Sequence, residues 1–249
     1  MDVFFATEAT PGRVNEDHVV ASASFVVVLD GVTVPAGVDT GCQHDVPWLV
    51  RNLGELLASG LARQPGKPLT EITVEAIRDL RQRHGQTCDL TNPDSPSSTV
   101  AILRVDGHRL DYLVLCDSLI VLLGRDAYTV VTDARTARLT AFDPASVARR
   151  RNAPDGFWVA STDPDAARQA LTGSVELRDL QGALVMTDGA GRLVERFGRT
   201  WADMARLARA EGPRAVLREV RAQEHAEPPG RRGKRFDDAT LAVCDFPTN

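Results

Sequence analysis

The residues best suited to do chemistry are aspartates that each stand beside a small or turn-forming residue. In chain order they lie in Leu29-Asp30-Gly31, Cys116-Asp117-Ser118, Thr187-Asp188-Gly189 and Phe236-Asp237-Asp238. Asp30 and Asp188 follow apolar runs rich in branched residues, which is typical of buried strands, so we expect their carboxylates at one edge of the core. Carboxylates that converge on one point repel each other unless hard cations bind between them. The pattern therefore predicts a divalent metal centre, although any one aspartate alone could be a turn or cap residue.

The composition is that of an ordinary globular enzyme. With 249 residues, 43% of them hydrophobic and 25% charged, the chain can bury a large core, and we expect one domain over residues 1–249. A net charge of -5 argues against nucleic acid as the main partner. No apolar run approaches the roughly 20 residues that cross a bilayer, and the N-terminus lacks the pattern of a signal peptide. We therefore expect a cytoplasmic protein without a membrane partner.

The cysteines give no sign of a metal or redox motif. Cys42, Cys88, Cys116 and Cys244 are widely scattered, and no CxxC pair occurs. This spacing disfavours a zinc knuckle or a disulfide-exchange site. We expect reduced, mostly buried thiols.

Hydrophobic periodicity predicts strands grouped with strands and helices grouped with helices. Strands are expected at 3–6, 18–21, 25–29, 99–105, 110–116, 119–123, 128–132, 175–177, 182–187 and 239–243. Helices are expected at 45–61, 70–83, 145–151 and 200–223, the last one broken at Gly212-Pro213. Turn signals at Asp106-Gly107 and at 124–126 predict an antiparallel meander over 99–132. This grouping predicts an α+β layered fold with sheets in the middle and helices outside.

Several other features have both a functional and a structural interpretation. Residues 135–165 are irregular, and we expect a surface insertion that bears on substrate choice. The basic runs at 149–151 and 231–235 could attract an anionic ligand, and the second could also neutralise the carboxylates, or both could be solvated loops. His44 is either a proton donor near the site or a surface histidine. No histidine motif supports a hydroxyl nucleophile at 97–99, so a structural role at a strand start is favoured there.

The order of the acidic motifs resembles that of a known family. Asn15-Glu16-Asp17, Asp30-Gly31, Ser97-Ser98-Thr99, Cys116-Asp117-Ser118, Thr187-Asp188-Gly189 and Asp237-Asp238-Ala239-Thr240 together are similar to the motifs of the metal-dependent protein phosphatase 2C (PP2C, PPM) family, bacterial type. The resemblance implies a four-layer α-β-β-α sandwich with two central, mainly antiparallel sheets. It also implies two Mg²⁺ or Mn²⁺ ions and hydrolysis of phosphoserine and phosphothreonine on proteins.

The resemblance also assigns roles to individual residues. Asp30 would bridge the two metals, Asp188 and Asp237 would complete one of them, and the Gly31 carbonyl would serve the other. Glu16 would reach that second metal directly or through water, and Asp17 would orient the water. Asp117 with Asp188 could hold a weaker third ion, and Arg13 would bind the substrate phosphate. Oxygen ligands of this kind suit Mg²⁺ and Mn²⁺, and paired cations supply the chemistry that phosphate-ester hydrolysis needs.

The chain departs from the family pattern at three points. Arg13 stands one residue closer to the Glu16-Asp17 pair than expected. No histidine follows Asp30-Gly31, so the leaving group would take its proton from water or another residue. Cys116 replaces the glycine that commonly precedes the Asp-Ser pair.

Three functions remain open from the sequence. The first is a protein phosphatase, expected to be a monomer, that acts on a kinase or a kinase target in a signalling circuit. The second keeps the fold and metals but hydrolyses a small phosphorylated metabolite. The third is a catalytically silent module that binds a phosphoprotein or a regulatory partner. The presence of every principal metal aspartate disfavours the third, because a silent module has no physical need for that acidic cluster.

Overall fold

The computed structural model describes residues 1–140, 143–228 and 233–246. The strands are β1 (Asp2–Glu8), β2 (His18–Ala21), β3 (Phe25–Leu29), β4 (Val100–Asp106), β5 (Arg109–Leu115), β6 (Leu119–Gly124), β7 (Tyr128–Val131), β8 (Leu171–Glu176), β9 (Leu180–Met186) and β10 (Ala239–Asp245). The helices are α1 (Val46–Arg63), α2 (Leu69–Arg83), α3 (Pro144–Arg150), α4 (Asp188–Glu195), α5 (Trp201–Glu211) and α6 (Pro213–Ala226). None of these helices combines the length and the apolar character that crossing a bilayer requires.

The strands form two stacked sheets between two helical layers. One sheet has the order β1-β10-β9-β6-β7 and the other the order β2-β3-β4-β5-β8, with antiparallel neighbours throughout. Helices α1 and α2 cover the second sheet, and α4, α5 and α6 cover the first. The predicted α-β-β-α sandwich is confirmed.

Alternation along the central strands explains why both faces of each sheet are buried. In β3, Phe25, Val27 and Leu29 pack against the helices, whereas Val26 and Val28 face the other sheet. A strand buried on both faces has no polar side, so it reads as a continuous apolar run. The strands predicted at 18–21 and 25–29 are confirmed without any change of bounds.

The predicted meander over 99–132 is wrong in one respect. The hairpins β4–β5 and β6–β7 form as expected, but the two hairpins lie in different sheets. The chain crosses between the sheets at 116–118, where Cys116 adopts a left-handed backbone with φ of 69°. Because the runs on both sides of the crossover, 113–115 and 119–122, are apolar, composition does not show which sheet each strand joins. Asp117 lies at this crossover.

Helix α4 was not predicted, because Gly189 and Gly191 lower the helix propensity of its first turns. A Cβ atom at Gly189 would lie 1.9 Å from the Asp238 carbonyl oxygen, so the close packing of α4 against the segment before β10 requires glycine. The last long helix is broken at Gly212-Pro213 as predicted. Strand β8 begins earlier than expected and forms the edge of its sheet.

The interpretation of 135–165 as a surface insertion is wrong in part. Phe157 and Val159 are buried in a small apolar cluster with Cys116, and Ala160 pairs with Ser98 next to β4. The short helix expected near 145–151 is present as α3. This segment therefore packs beside the crossover that carries Asp117.

Candidate metal centre

The acidic residues meet at one edge of the two sheets. Asp30 follows β3 of one sheet, and Asp188 follows β9 of the other, as the first residue of α4. Burial raises the pKa of Asp30 well above its usual range, and the negative charges of Asp17, Asp188, Asp117 and Asp237 raise it further. Five carboxyl groups thus lie close enough to affect one another, as the sequence predicts.

The backbone of Asp30 is fixed by a pair of hydrogen-bonded hydroxyl groups. Its backbone N–H donates to Thr99 Oγ1 at 3.2 Å, and that oxygen lies 2.6 Å from Ser118 Oγ in a hydrogen bond. Thr99 immediately precedes β4, so the structural role predicted for 97–99 at a strand start is confirmed. The two hydroxyls join the end of β3 to the crossover between the sheets.

The Asp30 and Asp188 carboxyl groups are near enough to share a hydrogen bond when one of them is protonated. Burial, followed by the charge of Asp117, raises the pKa of Asp188. Two ionised carboxylates at this separation need a proton or a cation between them. The donor set therefore fits a hard divalent ion.

Asp17 is the most enclosed member of the group, with 6% of its surface exposed. Its Oδ2 accepts hydrogen bonds from Thr187 Oγ1 at 2.9 Å and from Thr240 Oγ1 at 2.8 Å. Burial raises its pKa, although these two hydroxyls act against the rise. Its Oδ1 is buried and has no hydrogen-bond partner among the described residues. An orphaned carboxylate oxygen is expected where a hydrated cation belongs.

Glu16 and Gly31 lie side by side. The Gly31 N–H donates to the Glu16 carbonyl at 3.1 Å, and Glu16 Oε2 accepts from Thr33 Oγ1 at 2.6 Å. Burial raises the pKa of Glu16. A Cβ atom at Gly31 would lie 2.3 Å from Val46 Cγ1, so the approach of this loop to α1 requires glycine.

Asp238 has a structural role that the sequence analysis missed. Its two carboxylate oxygens accept from the backbone amides of Thr10 and Glu16, both at 2.6 Å. Asp238 thus fastens the loop that carries Glu16 to the segment before β10. Adjacent side chains of an extended segment point to opposite sides, so the pair at 237–238 could have signalled a separate role for Asp238.

Asp237 is engaged by two cations of the chain itself. Its Oδ2 accepts from Arg192 on α4 at 2.7 Å, and its Oδ1 lies 3.4 Å from Lys234 Nζ. Arg192 also pairs with the fully buried Glu224 at 2.8 Å. Lys234 fits the neutralising role considered for the run 231–235, whereas the contact of Arg192 was missed because it is 45 residues from Asp237.

Asp117 is half-buried, and its charge acts on Asp188. Glu195 at the end of α4 lies near the same pair, and burial followed by the charges of Asp188 and Asp117 raises its pKa. Cys116, which precedes Asp117, adopts the left-handed backbone that favours glycine, with φ of 69°.

The carboxylates are spread out. Among the residues that the structure describes, no three acidic side chains bring one oxygen each within 4.8 Å of one another. Mg²⁺ usually keeps several waters and takes one or two carboxylates. The spread therefore suits hydrated ions of this class and disfavours a single all-protein cage.

Arg13 borders the cavity next to the acidic group. This cavity of about 740 Å³ is also lined by Glu16, Thr33, Lys234 and Asp237. Arg13 is exposed, and its guanidinium has no hydrogen-bond partner within the described ranges. It is thus available to an anion that approaches the carboxylates.

The remaining candidates separate clearly. His44 is half-buried and stacks on Trp48, with ring centroids 3.8 Å apart. Of the basic run 231–235, residues 231 and 232 lie outside the described residues, and Lys234 reaches Asp237. In the run 149–151, Arg151 donates to the Pro93 carbonyl at 2.5 Å and is part of the fold.

Comparison with known proteins decides the family. Residues 9–220 match the family model described as Protein phosphatase 2C. The chain belongs to the protein phosphatase 2C family. The predicted resemblance is confirmed. The matched range ends before Asp237.

Solved structures share the fold of this phosphatase along nearly its whole length. The serine/threonine phosphatase PstP/Ppp of Mycobacterium tuberculosis is 18% identical with a TM-score of 0.63, and the match covers 99% of each chain. Stp1 of Staphylococcus aureus is 14% identical with a TM-score of 0.63, covering 99% of this chain and 95% of its own. The catalytic domain of PstP in complex with two manganese ions is 17% identical with a TM-score of 0.61, covering 98% and 97%. No curated protein sequence matches the phosphatase.

Proposed function

We propose that the phosphatase removes phosphate from phosphoserine and phosphothreonine in proteins at a centre that holds two Mg²⁺ or Mn²⁺ ions. Asp30 would contact both ions, Asp188 and Asp237 one of them, and the Gly31 carbonyl with Glu16 the other. The observation that carries the proposal is the convergence of mutually repelling carboxyl groups around Asp30. The relative crystallised with two manganese ions supports the number of ions.

The bound ions would supply a nucleophile at neutral pH and would neutralise charge on the phosphoryl group. The hydrogen bonds of Asp17 support a role in orienting the attacking water. Because two threonine hydroxyls fix its Oδ2, its free Oδ1 is available to accept a proton from the attacking water and to orient that water. In this proposal Asp17 is a catalytic residue.

The cavity beside the centre would receive the substrate phosphate. The Arg13 guanidinium and the Lys234 ammonium both line it, and charged donors of this kind bind phosphate strongly. No histidine stands beside Asp30-Gly31, and His44 is packed against Trp48. We propose that the leaving serine or threonine oxygen takes its proton from solvent in this cavity.

A third, weaker ion would bind between Asp117 and Asp188. The support is the position of Asp117 at the crossover, together with the raised pKa of Glu195 beside it, caused first by burial and then by the two aspartates. Acidic groups held in this way gain from a nearby cation.

The two alternatives from the sequence are not favoured. Family membership points to phosphoproteins rather than to small metabolites, and the complete acidic group is more than a silent binding module needs. A kinase or its target as substrate, action in signalling, a monomeric state, one domain over residues 1–249 and a cytoplasmic location remain predictions.

The test of function is a substrate and metal panel. The purified chain is incubated with a phosphothreonine peptide, a phosphoserine peptide and a set of sugar and nucleotide phosphates, with EDTA, Mg²⁺ or Mn²⁺. We expect peptide hydrolysis that requires a divalent ion and is lost in Asp188→Asn. Asp126→Asn, at an exposed hairpin position, serves as the matched control and should keep full activity. Faster turnover of a sugar or nucleotide phosphate than of either peptide would contradict the proposal.

A further inference from the structure

Two cysteines and a histidine that are distant in sequence from the acidic group point donor atoms at one another. Cys42 Sγ lies 3.1 Å from Cys88 Sγ and 3.3 Å from His84 Nδ1. One donor atom of each residue lies within 4.8 Å of the other two. Within the described part of the chain, this is the one such group of three histidine, cysteine or acidic side chains. The arrangement was invisible in the sequence, because Cys42 and Cys88 are 46 residues apart.

The fold fixes the positions of these three residues. Cys42 lies in the loop between β3 and α1, His84 caps the end of α2, and Cys88 follows four residues later. The two loops are joined by a hydrogen bond of 2.7 Å from the Asp89 N–H to the Gly41 carbonyl. His84 is buried, with 1% of its surface exposed. The donors therefore meet because of the backbone and not through mobile surface side chains.

The expectation of mostly buried thiols is correct for Cys116 and Cys244 and wrong for this pair. Cys42 and Cys88 are half-buried, and all four cysteines are free. An ion could therefore reach Cys42 and Cys88 from solvent. The other two are enclosed in the core.

The protonation states leave His84 able to bind a cation, whereas Cys42 must first lose its proton. Burial, with a smaller effect of His44, lowers the pKa of His84 to about 4, so its imidazole is neutral at pH 7 and keeps a lone pair. Partial burial opposes ionisation of Cys88, but a hydrogen bond from Cys42 and nearby backbone amides outweigh it and lower its pKa. Burial and the contact with Cys88 raise the pKa of Cys42 to about 11. Metal binding releases the proton of such a thiol.

We propose that Cys42, His84 and Cys88 bind one zinc ion, separately from the phosphatase centre. Two thiolates and one imidazole are ligands that zinc prefers, and a water can take the fourth position. On a tetrahedral zinc ion two sulfurs lie about 3.7 Å apart, and a sulfur and a nitrogen about 3.5 Å. The observed sulfur–sulfur separation of 3.1 Å is about 0.6 Å shorter than this value, and the sulfur–nitrogen separation of 3.3 Å is about 0.2 Å shorter.

A disulfide accounts for the cluster less well. It needs the two sulfurs at about 2.05 Å, which is farther from the observed 3.1 Å than the zinc geometry is. It also gives no reason for a neutral, buried histidine beside the pair. The backbone N–H of His44, which donates to Cys42 Sγ at 3.4 Å, would stabilise a metal-bound thiolate.

Zinc at this position would stabilise one wall of the phosphatase centre. The loop of residues 32–44 follows Gly31 directly. Zinc bound to Cys42 and His84 would fasten this loop to the end of α2. Within the described residues, none of the three ligands forms a hydrogen bond or ion pair with the acidic group. The ion would thus act on stability and not on the reaction.

In the test, the full chain is reduced, freed of metal with a chelator and titrated with Co²⁺. The cobalt is then displaced with Zn²⁺. A sulfur-to-cobalt charge-transfer band in the near ultraviolet arises only from thiolate ligands, so carboxylates cannot produce it. We expect this band in the wild type and its loss on addition of Zn²⁺. It should persist in Asp30→Asn and in the matched control Cys244→Ala, and it should be absent in Cys42→Ser and Cys88→Ser.

Two further readouts keep the proposal testable if a cysteine variant folds poorly. His84→Asn should keep both thiols and bind Zn²⁺ at least about tenfold more weakly. Zn²⁺ should also raise the Tm of Asp30→Asn but not that of the double variant Asp30→Asn/Cys42→Ser. Absence of the band in the reduced wild type, or an unchanged band in Cys42→Ser, would overturn the proposal. So would mass spectrometry of the wild type, first reduced and then kept in air with excess Zn²⁺, that shows Cys42 and Cys88 oxidised by oxygen to a disulfide.

Discussion

The Arg192 guanidinium donates a 2.7 Å hydrogen bond to Asp237, which places a fixed cation of the chain on a carboxylate that the metal centre also needs. Arg192 additionally pairs with Glu224, a side chain with none of its surface exposed. Replacement of Arg192 would leave that buried charge with Arg221 as its remaining partner. Removal of one partner from a buried ion pair is strongly destabilising.

We therefore expect Arg192→Ala to lower the free energy of unfolding by about 2–4 kcal/mol. Urea denaturation of the metal-free protein measures this change. Arg206→Ala is the matched control, because Arg206 pairs with Asp203 at an exposed position of α5 and such pairs contribute at most about 1 kcal/mol. Equal losses in the two variants would mean that the buried pair has no special weight.

The raised carboxyl pKa values predict that removal of a metal ligand stabilises the metal-free protein. Burial and the surrounding carboxylates raise the pKa of Asp30, so its ionised form opposes folding at neutral pH. We expect Asp30→Asn to have a higher Tm than the wild type in EDTA at pH about 7, by the equivalent of about 1 kcal/mol or more. The same variant should lose metal-dependent hydrolysis.

The pH dependence checks the sign of this effect. A carboxyl with a raised folded-state pKa is protonated first in the folded protein, so its penalty disappears as the pH falls through that pKa. The Tm difference between Asp30→Asn and wild type should therefore shrink between pH about 7 and about 5. The comparison cancels the opposing effect of His84, whose pKa is lowered to about 4 by burial. A less stable Asp30→Asn in EDTA at neutral pH would show that the carboxylates do not repel one another.

The threonine hydroxyls that hold Asp17 should matter for both rate and stability. Thr240→Val removes the 2.8 Å hydrogen bond to a buried carboxylate, which costs about 1–3 kcal/mol of stability. Loss of such an orienting partner should also lower kcat by about tenfold or more. Thr129→Val, at an exposed position of β7, is the control. A Thr240→Val enzyme with wild-type kcat would remove Asp17 from the catalytic step.

Arg13 should affect substrate binding more than the chemical step. A charge-assisted hydrogen bond to phosphate is worth about 1.5–3 kcal/mol, so Arg13→Ala should raise KM for a phosphothreonine peptide by about tenfold or more. Arg13→Lys should recover part of this loss, because lysine keeps the charge but not the planar donor pair. Steady-state kinetics with Arg125→Ala, an exposed hairpin arginine, as control measures the effect. An unchanged KM in Arg13→Ala would exclude contact with the phosphate.

The layers of the fold could be predicted from the sequence, whereas the crossover between the two sheets and helix α4 could not. Continuous apolar runs such as Phe25–Leu29 identify buried strands wherever they occur, so the layers followed from the pattern. The crossover at Cys116 did not, because the runs on both sides of it, 113–115 and 119–122, are apolar and either sheet could accept them. Helix α4 was missed because its glycines serve tertiary packing against Asp238.

The same distinction holds for the candidate site. Aspartates at strand ends were visible because a strand end is a local feature. The partners that hold them were not visible, since Thr187, Thr240, Asp238 and Arg192 meet their acceptors only through contacts between distant segments. Cys42, His84 and Cys88 were missed for the same reason, because no local spacing joins them.

The measurement that tests the central claim most directly is anomalous X-ray diffraction at the manganese edge from crystals grown with Mn²⁺. Two anomalous peaks that share Asp30 as a ligand, with Asp188 and Asp237 on one of them, are the predicted result. The same experiment on Asp30→Asn should show one or both peaks lost. Wild-type crystals without a peak at Asp30, in protein that hydrolyses a phosphothreonine peptide under the same conditions, would contradict the account.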